Sequence, residues 1–288
     1  MTDTLSTEPF PQPAIIFYPE SDGQPMSESD ATRDYLVYGV EVLRRHFHSR
    51  RNIYVSGNLF IYYQEGEPNK VFSPDVFVIL GVSQRKRRTY KTWQEGGKLP
   101  SFILEITSFT TRKQDEVEKP KLYASLGVEE YFQYDPTGDY LDPQLKGQRL
   151  VDGQYHPMPL IQTAIGLTGI HSQVLGLDLC LEPPYFGLAF HPQAVPIPLE
   201  LRFYDPQTGE KLLNYQELEG ARIQIQADLA EEQQRAEAEA QRAETEKQRA
   251  DAETQRADAE TQRAETEKQR ADRLAEKLRS LGIEPETE

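Results

Sequence analysis

The sequence predicts an α/β fold that carries a long, polar C-terminal α-helix. Apolar patterning runs in the order helix, several strands, helix, strand, and the second helix stands between two strands where a crossover would stand. From Gln241 the chain repeats every seven residues, as QRAETEK, QRADAET, QRADAET, QRAETEK and QRADRLA, without proline or glycine.

Residues 1–26 hold Pro9, Pro11, Pro13, Pro19 and Pro25 and little periodicity, which suggests an arm with one extended segment at 14–18. A helix follows, capped by Ser29 or Asp30, with Tyr35, Val37, Tyr38, Val40, Val42, Leu43 and Phe47 as its apolar positions. Strands are expected at 53–55 and 59–63, punctuated by Gly57–Asn58 and by residues 65–68, then at 76–80 and 101–106. Between the last two lies a basic loop or helix start at 84–91. A second helix is expected at 116–126, stopping at Gly127, a residue suited to the left-handed turn after a helix. Further strands are expected at 131–134, at Arg149–Leu150, at 174–181 and at 201–204.

The chain therefore divides into the arm, a domain at 27–215 and a tail at 216–288. In the tail, alanine recurs at 236, 243, 250, 257, 264 and 271, and arginine one residue before each. Arg242, Arg249, Arg256 and Arg263 each have a glutamate four residues on, and such pairs are worth ~0.2–0.5 kcal/mol apiece on a helix. A coiled-coil seam wants larger apolar residues at both its core positions, whereas the partners of these alanines are Glu246, Glu253, Glu260 and Glu267. The middle thus reads as a single salt-bridged helix. Leu218, Ile225 and Leu229 at one end, and Leu274, Leu278 and Leu281 at the other, are stripes through which it could form a homo-oligomer.

The net charge is −15 and only 37% of residues are hydrophobic. So acidic a chain does not coat nucleic acid with its whole surface; contact must come from a local patch or through a metal. Cys180 is the one cysteine, which excludes an intramolecular disulfide and fits a reducing compartment. No signal-peptide pattern opens the chain, and no apolar run approaches the ~18–20 residues that span a bilayer. The expectation is a soluble, cytoplasmic protein without membrane contact. No Cys/His spacing suggests zinc, and there is no glycine-rich phosphate loop.

Two carboxylates stand out. On the strand at 101–106, Glu105 shares a face with Ile103 and Thr107, and Asp75 opens the apolar stretch at 76–80. A carboxylate buried alone is costly; two on adjacent strands make an oxygen site suited to Mg²⁺, with the backbone carbonyl of Ile106 as a third ligand. Such a site polarises a phosphate oxygen and lowers the pKa of a bound water.

Ser73–Pro74–Asp75, Glu105–Ile106–Thr107–Ser108, Thr111 to Asp115, Glu118–Lys119, Tyr123, Gly127 to Tyr131 and Asp135–Pro136 together resemble the PD-(D/E)XK nuclease superfamily, most closely its bacterial Uma-two type branch of restriction-endonuclease-like proteins. The resemblance covers roughly 27–205. It implies a mixed central sheet flanked by helices and an endonuclease that cleaves DNA phosphodiester bonds with Mg²⁺ or Mn²⁺; RNA is open to the same chemistry. It also implies Asp75, Glu105 and Lys119 as catalytic residues. The superfamily's usual lysine position is Thr107 here, so the lysine would come from the following helix. Spacing favours Lys119, with Lys113 and Lys121 as alternatives, and Tyr123 lies four residues on along the same helical face. Pro120 fits only a first helical turn, which would start the helix later and put Lys119 near its N-terminus. A second departure is Thr32, where relatives often carry a histidine.

The run Arg85, Lys86, Arg87, Arg88 and Lys91, with Tyr90 and Trp93, either grips nucleic-acid phosphates or forms a solvated hairpin tip. A competing function is an interaction protein on a nuclease fold that assembles through its long helix.

Overall fold

A computed structural model describes residues 16–21, 29–108, 111, 113–163, 166–184 and 198–282; most of the expected arm lies outside them. The chain divides into two compact units, Met1–Glu217 and Leu218–Glu288.

The first unit opens with α1, Asp30–His46, whose N-terminus is capped by Ser29 accepting from the Thr32 N–H at 3.1 Å. Then come β1 (Ile53–Ser56), β2 (Ile61–Tyr62), β3 (Val71–Phe72), β4 (Val76–Leu80), β5 (Tyr90–Lys91) and β6 (Phe102–Ile106). A π-helical turn, Gln114–Glu118, leads into α2, Lys119–Leu126, and then β7, Glu130–Tyr134. The rest are β8 (Leu145–Val151), β9 (Gln154–Pro157), β10 (Ile161–Gln162), β11 (Thr168–Ser172), β12 (Leu177–Glu182) and β13 (Glu200–Tyr204).

Six strands form the central sheet in the order β1-β4-β6-β7-β8-β9. It is mixed: β6 and β7 run parallel and the other pairs antiparallel, with α2 in the β6–β7 crossover. A four-stranded sheet, β10-β11-β12-β13, and a three-stranded one, β3-β2-β5, accompany it. Alternation along the strands separates two cores. Val76, Val78, Leu104, Ile106, Phe132 and Tyr134 pack toward α1 and the four-stranded sheet. Phe77, Ile79, Ile103 and Tyr131 face the other way, toward Tyr123 of α2 and Ile61, Phe72 and Tyr90 of the small sheet.

Three expectations are adjusted. The second helix starts at Lys119 because Pro120 lacks an N–H and sits where none is needed, in the first turn; the residues before it wind as the π-helical turn. The strand expected at 174–181 starts only at Leu177, because Gly176 turns with φ +69°. The third concerns the tail. It is helical as α3, Tyr215–Ser280, with no buried residue. Its described intrahelical ion pairs are Arg222–Glu219 at 3.3 Å and Arg235–Glu231 at 2.5 Å, not a continuous ladder through the repeats. Exposed pairs gain little over solvation. Among the described residues, no helix is long and apolar enough to cross a membrane.

Candidate active site

Glu105 lies one residue from the end of β6 and is fully buried. Asp75 is half-buried immediately before β4, next to it. The pairing of Val76 with Leu104 brings the two together: the Ile106 N–H donates to Asp75 Oδ2 at 2.8 Å, and the Asp75 N–H to Glu105 Oε2 at 3.4 Å. Gly57 makes room for this corner, since a Cβ there would lie 2.1 Å from the Asp75 carbonyl oxygen.

The end of α2 positions a third group. Gly127 adopts φ +77°, its N–H donates to the Ala124 carbonyl at 3.1 Å, and the Val128 N–H donates to the Tyr123 carbonyl at 3.0 Å, the paired closure of a glycine-capped helix. Tyr123 and Val128 are both buried in the same core. Held this way, the Tyr123 hydroxyl donates to Glu105 Oε1 at 2.6 Å.

Lys119, at the start of α2, stands with Nζ 2.9 Å from Glu105 Oε2 and 2.8 Å from Asp115 Oδ1. It is therefore the lysine brought to the acids; Lys113 and Lys121 are exposed. Asp115 is the residue that sequence reasoning missed. It is 1% exposed within the π-helical turn, and the Tyr131 hydroxyl donates to its backbone carbonyl at 2.7 Å. Its signal was available: Asp115 precedes Lys119 by one helical turn, the spacing of an ion pair.

One ammonium thus faces three carboxylates. Burial pushes the Asp75 carboxyl well above the ordinary range, and Glu105 adds to the shift while Lys119 and the Ile106 N–H oppose it. Burial likewise raises Asp115, against the pull of Lys119. For Lys119, burial lowers the pKa, but Glu105, Asp115 and Asp75 outweigh it and leave it raised. The cluster is electron-rich and short of positive charge, which fits a divalent cation. Its donors are oxygens, as Mg²⁺ or Mn²⁺ prefers. Among the described residues, no three His, Cys, Asp or Glu side chains converge as a ready-made metal cage. Mg²⁺ commonly relies on one or two carboxylates and completes its shell with water and substrate.

Within the basic run the residues differ in setting. Arg87 is withdrawn from solvent, its side chain 3% exposed, pairing with Glu95 at 2.8 Å and lying 4.3 Å over the Tyr54 ring. It fastens the loop to the core, because an arginine stem and guanidinium pack well on aromatic faces. Arg85 also pairs with Glu95, Arg88 with Glu20 at 2.8 Å, and Lys91 sits 4.5 Å over Tyr18; Arg85, Lys86 and Arg88 remain exposed. Thr32 serves the α1 cap, its hydroxyl 2.9 Å from that of Ser29.

A family described as "Uma2: Putative restriction endonuclease" matches residues 11–175. That span contains Asp75, Glu105, Asp115, Lys119 and Tyr123. A crystal structure of "a putative nuclease belonging to DUF820" from Anabaena variabilis ATCC 29413 is similar at 14% identity and a TM-score of 0.34, over 49% of this chain and 78% of that one. No curated protein matches.

Proposed function

The chain belongs to the Uma2 family, whose description reads "Putative restriction endonuclease", and from that premise we propose that it is a metal-dependent endonuclease hydrolysing DNA phosphodiester bonds at Asp75, Glu105 and Lys119. The observation that carries this reading is the buried Glu105 carboxylate shared between the Lys119 ammonium and the Tyr123 hydroxyl, with Asp75 beside it. Asp75 and Glu105, with the Ile106 carbonyl, would hold Mg²⁺ or Mn²⁺, which when bound supplies a Lewis acid for a phosphate oxygen and a more acidic water.

The chain's own groups do the rest. Tyr123 fixes the rotamer of Glu105. Asp115 holds Lys119 at the site, where its ammonium stabilises charge growing on the phosphate. Incubation of the purified protein with DNA and Mg²⁺ or Mn²⁺ tests the reading: cleavage that persists undiminished in Asp75→Ala would show the site to be misassigned. An RNA substrate in the same assay separates the two nucleic acids.

The exposed leucine and isoleucine stripes of α3 support a second element of the reading, self-association through the tail. Leu218 is 43%, Leu229 53% and Leu274 54% exposed, and on a helix without a core such residues gain by pairing with another chain.

A further inference from the structure

A polar row crosses the central sheet on the face covered by the π-helical turn and α2. The register that pairs Val76 with Leu104 puts Asp75 level with Glu105. Glu105 is level with Gln133 of β7, and Gln133 with Lys146 of β8. Directly paired residues present their side chains on one face. Carboxylate, carboxylate, amide and ammonium therefore stand in line, at about 4.8 Å per strand. The ion pair from Lys146 Nζ to Glu116 Oε1 at 3.4 Å fixes the face, because Glu116 belongs to the π-helical turn.

Gln133 is anomalous in this setting. It is 2% exposed, and its Nε2 has no hydrogen-bond partner. Thr107 Oγ1, two residues after Glu105 and just past the end of β6, is likewise buried and unpartnered. A buried donor left unpaired costs about 1–3 kcal/mol, whereas an apolar residue of similar shape costs nothing of the kind. Neighbours Tyr131, Phe132 and Tyr134 show that β7 accepts large apolar side chains. The amide is thus a donor whose partner arrives from outside, and its neighbour Lys146 makes that partner an anion. Lys146 is 28% and Glu116 30% exposed, so their pairing is weak and gives way readily.

We propose that Gln133 and Lys146 are the phosphate-binding arm of the site. The Gln133 amide donates to a non-bridging oxygen of the phosphodiester at the acidic pair. Lys146 receives the adjoining phosphate of the same strand. This rests on the nuclease reading and adds to it the residues that hold the substrate backbone.

Gln133→Leu, Gln133→Glu and Lys146→Met, compared with wild type, test it through three readouts: melting without metal, Mn²⁺ affinity by calorimetry, and KM and kcat on duplex DNA over a salt series. Gln133→Leu should melt at or above the wild-type temperature, bind Mn²⁺ as wild type does, and lose about tenfold in kcat/KM. Gln133→Glu, which keeps the side chain's size but opposes a phosphate, should lose more. Lys146→Met should raise KM with kcat kept and flatten the logarithmic salt slope by about one. A Gln133→Leu protein that melts lower and cleaves normally would make the amide a core strut and overturn the arm, as would an unchanged salt slope in Lys146→Met. If wild type cleaves and all three variants match it, the arm alone fails; if wild type neither binds nor cleaves nucleic acid, the nuclease reading fails and takes the arm with it.

Discussion

Lys119 Nζ lies 2.9 Å from Glu105 Oε2, so the lysine stands against the same carboxylate that is proposed to hold the metal. Its ammonium compensates two buried carboxylates, Glu105 and Asp115, at once. Removing one partner of a buried pair typically costs about 3–5 kcal/mol, because the other charge is left unpaired. With its side chain 22% exposed, Lys119 belongs at the low end of that range. Lys119→Met should therefore lower the melting temperature of the metal-free protein, and Mn²⁺ should restore more of it than it adds to wild type. Equal shifts from Mn²⁺ in both proteins would mean that cation and ammonium do not share a site.

Asp75 makes the opposite prediction. Its pKa is raised by burial and by Glu105, so the folded state holds this proton more tightly than the unfolded chain does. The sign follows from linkage: the stability contribution is full below the unfolded value near 3.8 and is lost as pH rises through the higher folded value. At neutral pH Asp75→Asn should melt above wild type, keep the contact with the Ile106 N–H through its amide oxygen, and cleave nothing. Below pH 4 the difference in melting temperature should shrink. Divalent binding to wild type should also tighten as pH rises, because Asp75 must lose its proton to become a ligand.

The closeness of Asp75 and Glu105 was legible in the sequence because a carboxylate in an apolar strand or at its entry is conspicuous, and adjacent strands bring two such groups together; the shared cation is part of the proposal. Lys119 was reached through resemblance and spacing. Asp115 was not reached, although its spacing from Lys119 was plain, because an acid on a polar helical stretch looks like a solvated one. Gln133 was hidden for another reason. Its place beside Glu105 comes from the parallel register of β6 and β7, which a crossover sets and no local pattern encodes. The short pairings β3, β5 and β10 escaped notice because two residues carry no periodicity. Arg87 looked like its neighbours in a basic run; only its burial over the Tyr54 ring sets it apart.

The Tyr123 hydroxyl offers a finer test of how Glu105 is held. Tyr123→Phe removes one donor from a buried carboxylate while leaving the ring tilted against Phe72 and edge-on to Tyr131. Hydrogen bonds to charged groups are worth about 1.5–3 kcal/mol. Mn²⁺ affinity should change and kcat should fall about tenfold or more, corresponding to at least 1.4 kcal/mol. An unchanged kcat would leave Tyr123 a packing residue only.

Gly57→Ala disturbs the site without altering any charge. The added Cβ would meet the Asp75 carbonyl oxygen at 2.1 Å and Val40 Cγ2 at 2.8 Å. The first neighbour is backbone and cannot swing aside, so the corner that carries Asp75 must shift. Overpacking of this kind costs about 1–3 kcal/mol. The variant should melt lower than wild type and lose Mn²⁺ affinity together with cleavage. Retention of full metal affinity would show that the Asp75 backbone is not needed where it stands.

The tail is tested apart from the chemistry. Leu229 and Leu278 fall on the heptad position of the repeating alanines, while Leu218, Ile225, Leu274 and Leu281 fall on that of the glutamates. Apolar residues therefore fill the seam only at the two ends of α3. Self-association resting on those ends should be modest and concentration-dependent. Light scattering over a dilution series should show a mass that rises above the monomer in wild type. In a Leu274→Glu, Leu278→Glu double variant the monomer should persist, with DNA cleavage by the first unit kept. A wild-type mass that stays monomeric at every concentration would leave α3 as a spacer rather than an assembly arm.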